Sequence, residues 1–136
     1  MIDTLPIYTK ETHGIRIIVR PQYLDEHSEP PQRQYVFAYF VRIENRSRRT
    51  VQLLSRRWHI CDSIGEEQEV MGDGVVGQQP VLRPGDTHEY HSFCILKSRL
   101  GYMEGAYRFI GRDDVLFEVE IPRFDLVADR SPFLSA

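Results

Sequence analysis

Apolar and polar positions alternate with a period of two along most of the chain, the pattern of strands that bury one face. Ile15, Ile17 and Val19 interleave with Arg16, Ile18 and Arg20, which predicts a half-buried strand from Gly14 to near Tyr23, with Pro21 at an edge position or at its end. Asp25–Arg33 is acidic and carries a double proline, so it predicts an exposed loop. Gln34–Asn45 has the strongest pattern, with Tyr35, Phe37, Tyr39, Val41 and Ile43 on one face. A turn at Asn45–Arg49 then leads to a second long strand, Thr50–Ser63, predicted to return beside the first as a β-hairpin. Its parity is mixed. Leu54, Arg56, Trp58 and Ile60 fall on one side and Val51, Leu53 and Cys61 on the other, so a bulge or twist is predicted midway.

Downstream, Ile64–Glu67 predicts a turn, Gln68–Met71 a short strand, and Pro84-Gly85-Asp86 a sharp turn. His88–Lys97 is extended, with Tyr90, Ser92, Cys94 and Leu96 on one side. Gly101 and Gly105 make Leu100–Ala106 read as a connector, and Tyr107–Ile110 with Val115–Ile121 as a final hairpin ended by Pro122. Residues 1–13 are expected to be a flexible lead-in, 14–126 a single domain, and 127–136 a tail that covers a sheet edge before fraying. About seven strands and no convincing helix place the fold as all-β, an antiparallel β-sandwich of immunoglobulin-like or fibronectin type III-like form. A partly open barrel is the alternative.

A length of 136 residues fits one domain, and seven Tyr, seven Phe and one Trp supply a two-layer core. Seventeen basic against twenty acidic side chains leave no basic footprint for nucleic acid. No apolar run is long enough to span a membrane and no signal pattern opens the chain, so a cytoplasmic address is expected and transport across a bilayer is not. Cys61 and Cys94 fit that address better as buried thiols than as a disulfide.

The one cofactor-like motif is Gly72-x-Gly74-x-x-Gly77. In a dinucleotide site this spacing closes a strand and opens a helix, whose N-terminus meets the pyrophosphate. Here Val75 and Val76 favour extended backbone, and Pro80 and Pro84 block a following helix, so no coenzyme is expected. Two readings remain: a loop with unusual backbone angles, or an anion-binding nest of amides aided by Arg56 and Arg57. Those two belong to a wider set with Arg42, Arg46, Arg48 and Arg49 on the expected hairpin, which reads either as a solvated tip paired with Glu44 and the acidic loop near Asp25 or as an anionic-ligand patch. For metal, His59 and Cys61 share a strand face, whereas His88 and His91 point apart; Asp62 and Cys94 complete the candidates, and no paired Cys or His motif turns them into an expected site. Ser92 beside His91 cannot form a nucleophile–base pair from adjacent strand positions, and the Asp113-Asp114 and Glu66-Glu67 pairs lie in turns, so no catalytic constellation is found. Trp58 reads as a core anchor or as an interface aromatic, and Gln79 and Tyr90 stand with it as candidate partner contacts.

The segments Tyr35–Asn45 (YVFAYFVRIEN), Val51–Asp62 (VQLLSRRWHICD), Glu69–Pro80 (EVMGDGVVGQQP), Leu82–Gly85 (LRPG), Tyr90–Ser92 (YHS) and Phe117–Leu126 (FEVEIPRFDL) resemble, in order, the bacterial ApaG proteins. The resemblance runs from Ile15 to Leu126 and implies a fibronectin type III-like sandwich. It also implies an indirect tie to cobalt resistance and magnesium efflux, a glycine motif at Gly72, Gly74 and Gly77 suggested to touch pyrophosphate, and kinship with domains that act as protein-binding modules in eukaryotic F-box and polymerase-interacting proteins. Phe93, where small residues are usual, and Ser98-Arg99, in place of Thr-Pro, depart from the family pattern. The expectation is a non-enzymatic interaction module without cofactor, binding an unidentified protein or forming a homodimer through an edge strand. A small-anion binder and a divalent-metal-responsive protein are the alternatives.

Overall fold

In the computed structural model, which describes residues 5–129, the alternating segments form nine strands: β1 (Tyr8–Thr12), β2 (Ile15–Tyr23), β3 (Tyr35–Asn45), β4 (Val51–Asp62), β5 (Glu67–Asp73), β6 (Val81–Leu82), β7 (Thr87–Leu96), β8 (Leu100–Gly111) and β9 (Leu116–Val127). They build two antiparallel sheets, β1-β2-β3-β7 and β5-β4-β8-β9, with the short β6 also paired to β4. Two one-turn 3-10 segments, Asp25–His27 and Pro30–Gln32, fill the acidic proline loop. The fold is the expected β-sandwich, with β1 and β6 beyond the strands read from the sequence.

The inward faces meet as the alternation requires. Ile15, Ile17 and Val19 of β2 and Phe37, Tyr39, Val41 and Ile43 of β3 are buried, and so are Tyr107 and Phe109 of β8 and Phe124 of β9. Trp58 sits at the centre, 2% exposed, with ring centroids 5.3 Å from Tyr39 and 5.9 Å from Phe124. On β7 the parity is also as read: Cys94 and Leu96 are buried while His91, Phe93 and Ile95 face out. β1 and β2 pack against β9 and close one side of the sandwich, leaving β5 and β7 as edges on the other.

The expected β3–β4 hairpin does not form. The two strands belong to different sheets, and residues 46–50 carry the chain across from one to the other. The cause is Asn45, a buried polar side chain at 1% exposure. Its Nδ2 donates to the carbonyls of Arg49 (2.7 Å) and Leu82 (2.9 Å), and its Oδ1 accepts from the Ser47 amide (3.0 Å) and hydroxyl (2.6 Å). Its backbone is held as well, by Asp86 and Gly85 at the turn before β7. One side chain thus ties the crossing segment, at Ser47 and Arg49, to β6 at Leu82.

Other boundaries move for local reasons. The lead-in expected through residue 13 holds strand β1, which pairs Tyr8–Thr12 with Ile15–Val19; its residues 1–4 and tail residues 130–136 lie outside the described residues. Pro21 stays inside β2 because β1 pairs no further along β2 than Val19, so no ladder bond is asked of the proline on that side. The connector expected at Leu100–Ala106 is part of β8. Gly105 lies so close to β4 that a Cβ would collide with the Arg57 carbonyl oxygen, so this glycine marks a close approach of strands rather than a loop. Opposite it, Pro122 does not end β9 but sits where the β8–β9 register slips between Met103 and Gly105, a bulge that needs no amide from it.

Replacing Asn45 by Ala removes its donation to the Leu82 carbonyl and leaves the Arg49 carbonyl only the 3.2 Å bond from the Ser47 hydroxyl, and is expected to cost about 2–4 kcal/mol. Urea unfolding followed by Trp58 fluorescence checks this; a midpoint equal to that of the unmodified chain would refute the role given to the side chain.

Candidate functional site

The midpoint shift expected in β4 is a bulge at Leu54. The β4–β8 register slips between Leu53 and Ser55, so Val51 and Leu53 point into the core before it and Trp58 after it. The glycine run is fastened to this bulge. The Gly74 amide donates to the Leu54 carbonyl at 2.7 Å, and Gln79 Nε2 donates to the same oxygen at 2.9 Å. Between them Val75 and Gln78 exchange hydrogen bonds of 2.8 and 3.0 Å around Val76 and Gly77, both at positive φ (46° and 76°). That is a two-residue hairpin turn of type I′. Gly74, also at positive φ, leaves no room for a Cβ beside the Gln78 carbonyl.

The arginines proposed for anions are occupied or separated. Arg56 lies against Gly72 and its Nη1 donates to the carbonyls of Asp73 and Gly74, both at 2.9 Å. Arg57, the next residue along the strand, faces the opposite way and pairs with Glu118 at 3.7 Å. The amides of Gly74, Val75 and Gln78 are already committed to backbone carbonyls, so the loop turns few donors outward. The other arginines spread out rather than cluster, pairing Arg42 with Glu44 and Glu89, Arg46 with Glu11, and Arg49 with Asp113.

The three candidate partner contacts are structural. Trp58 is enclosed in the core and cannot reach a partner, which corrects the interface reading of that residue. Tyr90 packs against the core with its hydroxyl bonded to that of Tyr107 at 2.5 Å, and the Gln79 side chain is spent on the bulge. Cys94 is an inward thiol pushed up to about 12 by burial, and both cysteines are free. Ser92 and His91 occupy opposite faces of β7, as the alternation required.

Of the metal candidates, the structure brings His59 and Cys61 together and separates the others. Asp62 accepts hydrogen bonds from the Lys97 amide (2.6 Å) and Ser98, and His88 and His91 are on the other sheet. Because the bulge turns Trp58 inward, His59 and Cys61 point outward from the face of the second sheet. The β4–β5 register sets Glu67 opposite Cys61, and the β4–β8 register sets Glu104 opposite His59. His59 Nε2 is 2.7 Å from Glu67 Oε1 and its Nδ1 is 3.2 Å from Glu104 Oε2. Glu104 first, then Glu67, hold the imidazole above its ordinary value. Cys61 Sγ lies 3.5 Å from His59 Nε2 and 3.6 Å from Glu67 Oε1. Glu67, expected in the turn, is the first residue of β5, and its pairing with Cys61 is what carries it to His59.

A family model described as the ApaG domain matches residues 25–111. The chain belongs to the ApaG domain family. It is 50% identical over 120 residues to Protein ApaG of Brucella canis, covering 88% of this chain and 92% of that protein. The corresponding figures for Protein ApaG of Rhodospirillum centenum are 48% over 120 residues, 88% and 92%. A crystal structure from Bordetella pertussis described as an ApaA protein superposes with a TM-score of 0.82 at 45% identity, covering 93% of this chain and all of that one. The ApaG sandwich is therefore the frame in which the glycine turn, the β5 and β7 edges and the His59 face are set.

Two measurements follow from this ApaG chain's geometry. Val76 is a β-branched residue at φ 46°, so Val76→Asn, which creates the favoured type I′ pair, is expected to raise stability by about 1 kcal/mol in urea unfolding. For His59 the raised folded value means its contribution is complete below the ordinary imidazole value and is lost as pH rises through the folded one. Glu104→Gln is expected to lower the midpoint of the His59 ring-proton NMR titration, and an unmoved midpoint would show that Glu104 does not hold the charge.

Proposed function

We propose that this ApaG domain is a non-enzymatic binding module whose ligand is an extended polypeptide segment added to the free edge of β7. The observation that carries the reading is the contrast between the two edges on the open side of the sandwich. β5 is guarded: Glu67, Glu69 and Asp73 place charge along it, as sheet edges that avoid pairing do. β7 offers ten residues without a proline or a bulge, and its outward side chains include Phe93 at 58% and Ile95 at 63% exposure. Strand addition uses main-chain hydrogen bonds for affinity and alternate side-chain pockets for specificity. A shallow depression of about 490 Å³ beside the edge, lined by Ile18, Arg20, Phe40, Arg42, Glu89 and His91, supplies such a pocket. Its mixed apolar and charged lining favours a segment that alternates in the same way.

Amide hydrogen exchange is expected to show residues 87–96 gaining protection in the complex, whether the segment comes from another protein or from a second copy of the chain. Ile95→Lys is expected to abolish that gain while leaving the unfolding midpoint nearly unchanged, because the side chain faces solvent. Protection gained elsewhere, with β7 unaffected, would sink the reading.

A further inference from the structure

We infer that His59, Cys61 and Glu67 form a binding site for one divalent first-row cation of borderline softness, Zn²⁺ being the type ion, on the outer face of the β5-β4-β8-β9 sheet. The ligating atoms of the three residues all lie within 4.8 Å of one another. They are an imidazole nitrogen, a sulfur and a carboxylate oxygen, a set that suits a tetrahedral ion and not Mg²⁺ or Ca²⁺, which take oxygen ligands.

The distances fit an ion at the centre. Bond lengths of about 2.3 Å to sulfur and 2.0–2.1 Å to nitrogen or oxygen place tetrahedral ligands about 3.5 Å apart for sulfur pairs and about 3.3 Å for the nitrogen–oxygen pair. The sulfur separations here are 3.5 Å to His59 Nε2 and 3.6 Å to Glu67 Oε1. The nitrogen–oxygen separation is 2.7 Å, a hydrogen bond that opens by a small rotation of Glu67 on the exposed β5 edge.

A second observation concerns orientation. Glu104 faces the other ring nitrogen of His59 at 3.2 Å, so Nδ1–H can stay bonded to the carboxylate while Nε2 turns its lone pair to the ion. A histidine ligand whose far nitrogen is held by a carboxylate is a recurring arrangement at metal centres. The site needs no rearrangement of backbone, since the β4–β5 and β4–β8 registers already set the residues opposite one another. Cys61 is buried, His59 is half-buried and Glu67 is exposed, so a fourth ligand, water or a partner's side chain, would enter from the Glu67 side. Binding releases the Cys61 thiol proton and the proton on Nε2 to solvent, leaving thiolate and carboxylate charges that balance the cation. The site lies on the sheet opposite β7, with Glu67 and Ile95 lining one shallow depression between the two edges, and its ligands are argued from the β4 and β5 residues alone, so it does not depend on the polypeptide-binding reading.

The test uses the full chain, with Co²⁺ as spectroscopic probe and Zn²⁺ as competitor. One Co²⁺ per chain is expected, with a near-ultraviolet thiolate-to-cobalt charge-transfer band that Zn²⁺ removes and excess Mg²⁺ does not. Cys61→Ser is expected to abolish the band, and Cys94→Ser to leave it. Glu67→Gln is expected to weaken binding, and Glu104→Gln to weaken it by about 10–100-fold without changing the stoichiometry. Glu67 and Glu104 are on the surface, so these two variants keep the test informative if Cys61→Ser folds poorly. Absence of the band in the unmodified chain, its survival in Cys61→Ser, its loss in Cys94→Ser, or equal displacement by Mg²⁺ would each overturn the assignment.

Discussion

One extra residue in β4 governs both the core and the outer surface. A strand alternates its faces with a period of two, so a single inserted position exchanges inside for outside along everything that follows. Before Leu54, Val51 and Leu53 point inward; after it, Trp58 does. Without that slip the chain's one tryptophan would stand in solvent, and the side chains of His59 and Cys61 would be pressed into an apolar layer. Burying an imidazole and a thiol there without partners would be costly, whereas facing outward they meet Glu67 and Glu104. The bulge places the aromatic centre and the polar face in one step.

A bulge leaves backbone groups out of the ladder, and these need partners. The glycine run supplies them. Leu54 offers a carbonyl that the Gly74 amide and the Gln79 side chain both reach, and Gln52 Nε2 returns a bond to the Gln79 carbonyl at 3.1 Å. The absence of a Cβ at Gly74 permits the approach, and Gly77 permits the tight reversal that brings Gln79 back. The dinucleotide-like spacing therefore has a structural cause in this chain. Its glycines answer to the geometry of β4, and the amides of Gly74, Val75 and Gln78 are bonded to carbonyls of the same domain.

The sequence carried the sandwich through side-chain parity: β3, β7 and the disturbed β4 were all legible, because burial on one face leaves a mark every second residue. What it did not carry was partnership over long distance. Asn45 at the end of β3 looks like an ordinary turn residue, and only its bond to the Leu82 carbonyl, 37 positions away, makes the turn a crossing between sheets. Gly105 and Pro122 read as breakers, since the facing bulge and the close approach of β4 that accommodate them are tertiary facts. The same limit applied to the polar face. His59 and Cys61 could be paired from one strand's alternation, but Glu104 joins them only through the register with β8, more than forty residues on.

Residues that hold the fold are poor candidates for function, because their polar atoms are already bonded and their apolar surface is already covered. Trp58, Tyr90, Gln79, Arg56 and the glycine run each carry a contact of that kind. Two places do not. Phe93 and Ile95 contribute little to the core from the outer face of β7, and an exposed apolar pair on an unguarded edge is a liability unless something covers it. His59, Cys61 and Glu67 likewise make no contact that the sandwich requires, since the β4–β5 ladder is formed by backbone whatever side chains it carries. The chemistry that remains after folding has been satisfied is concentrated there, on surfaces held rigid by the core beneath them.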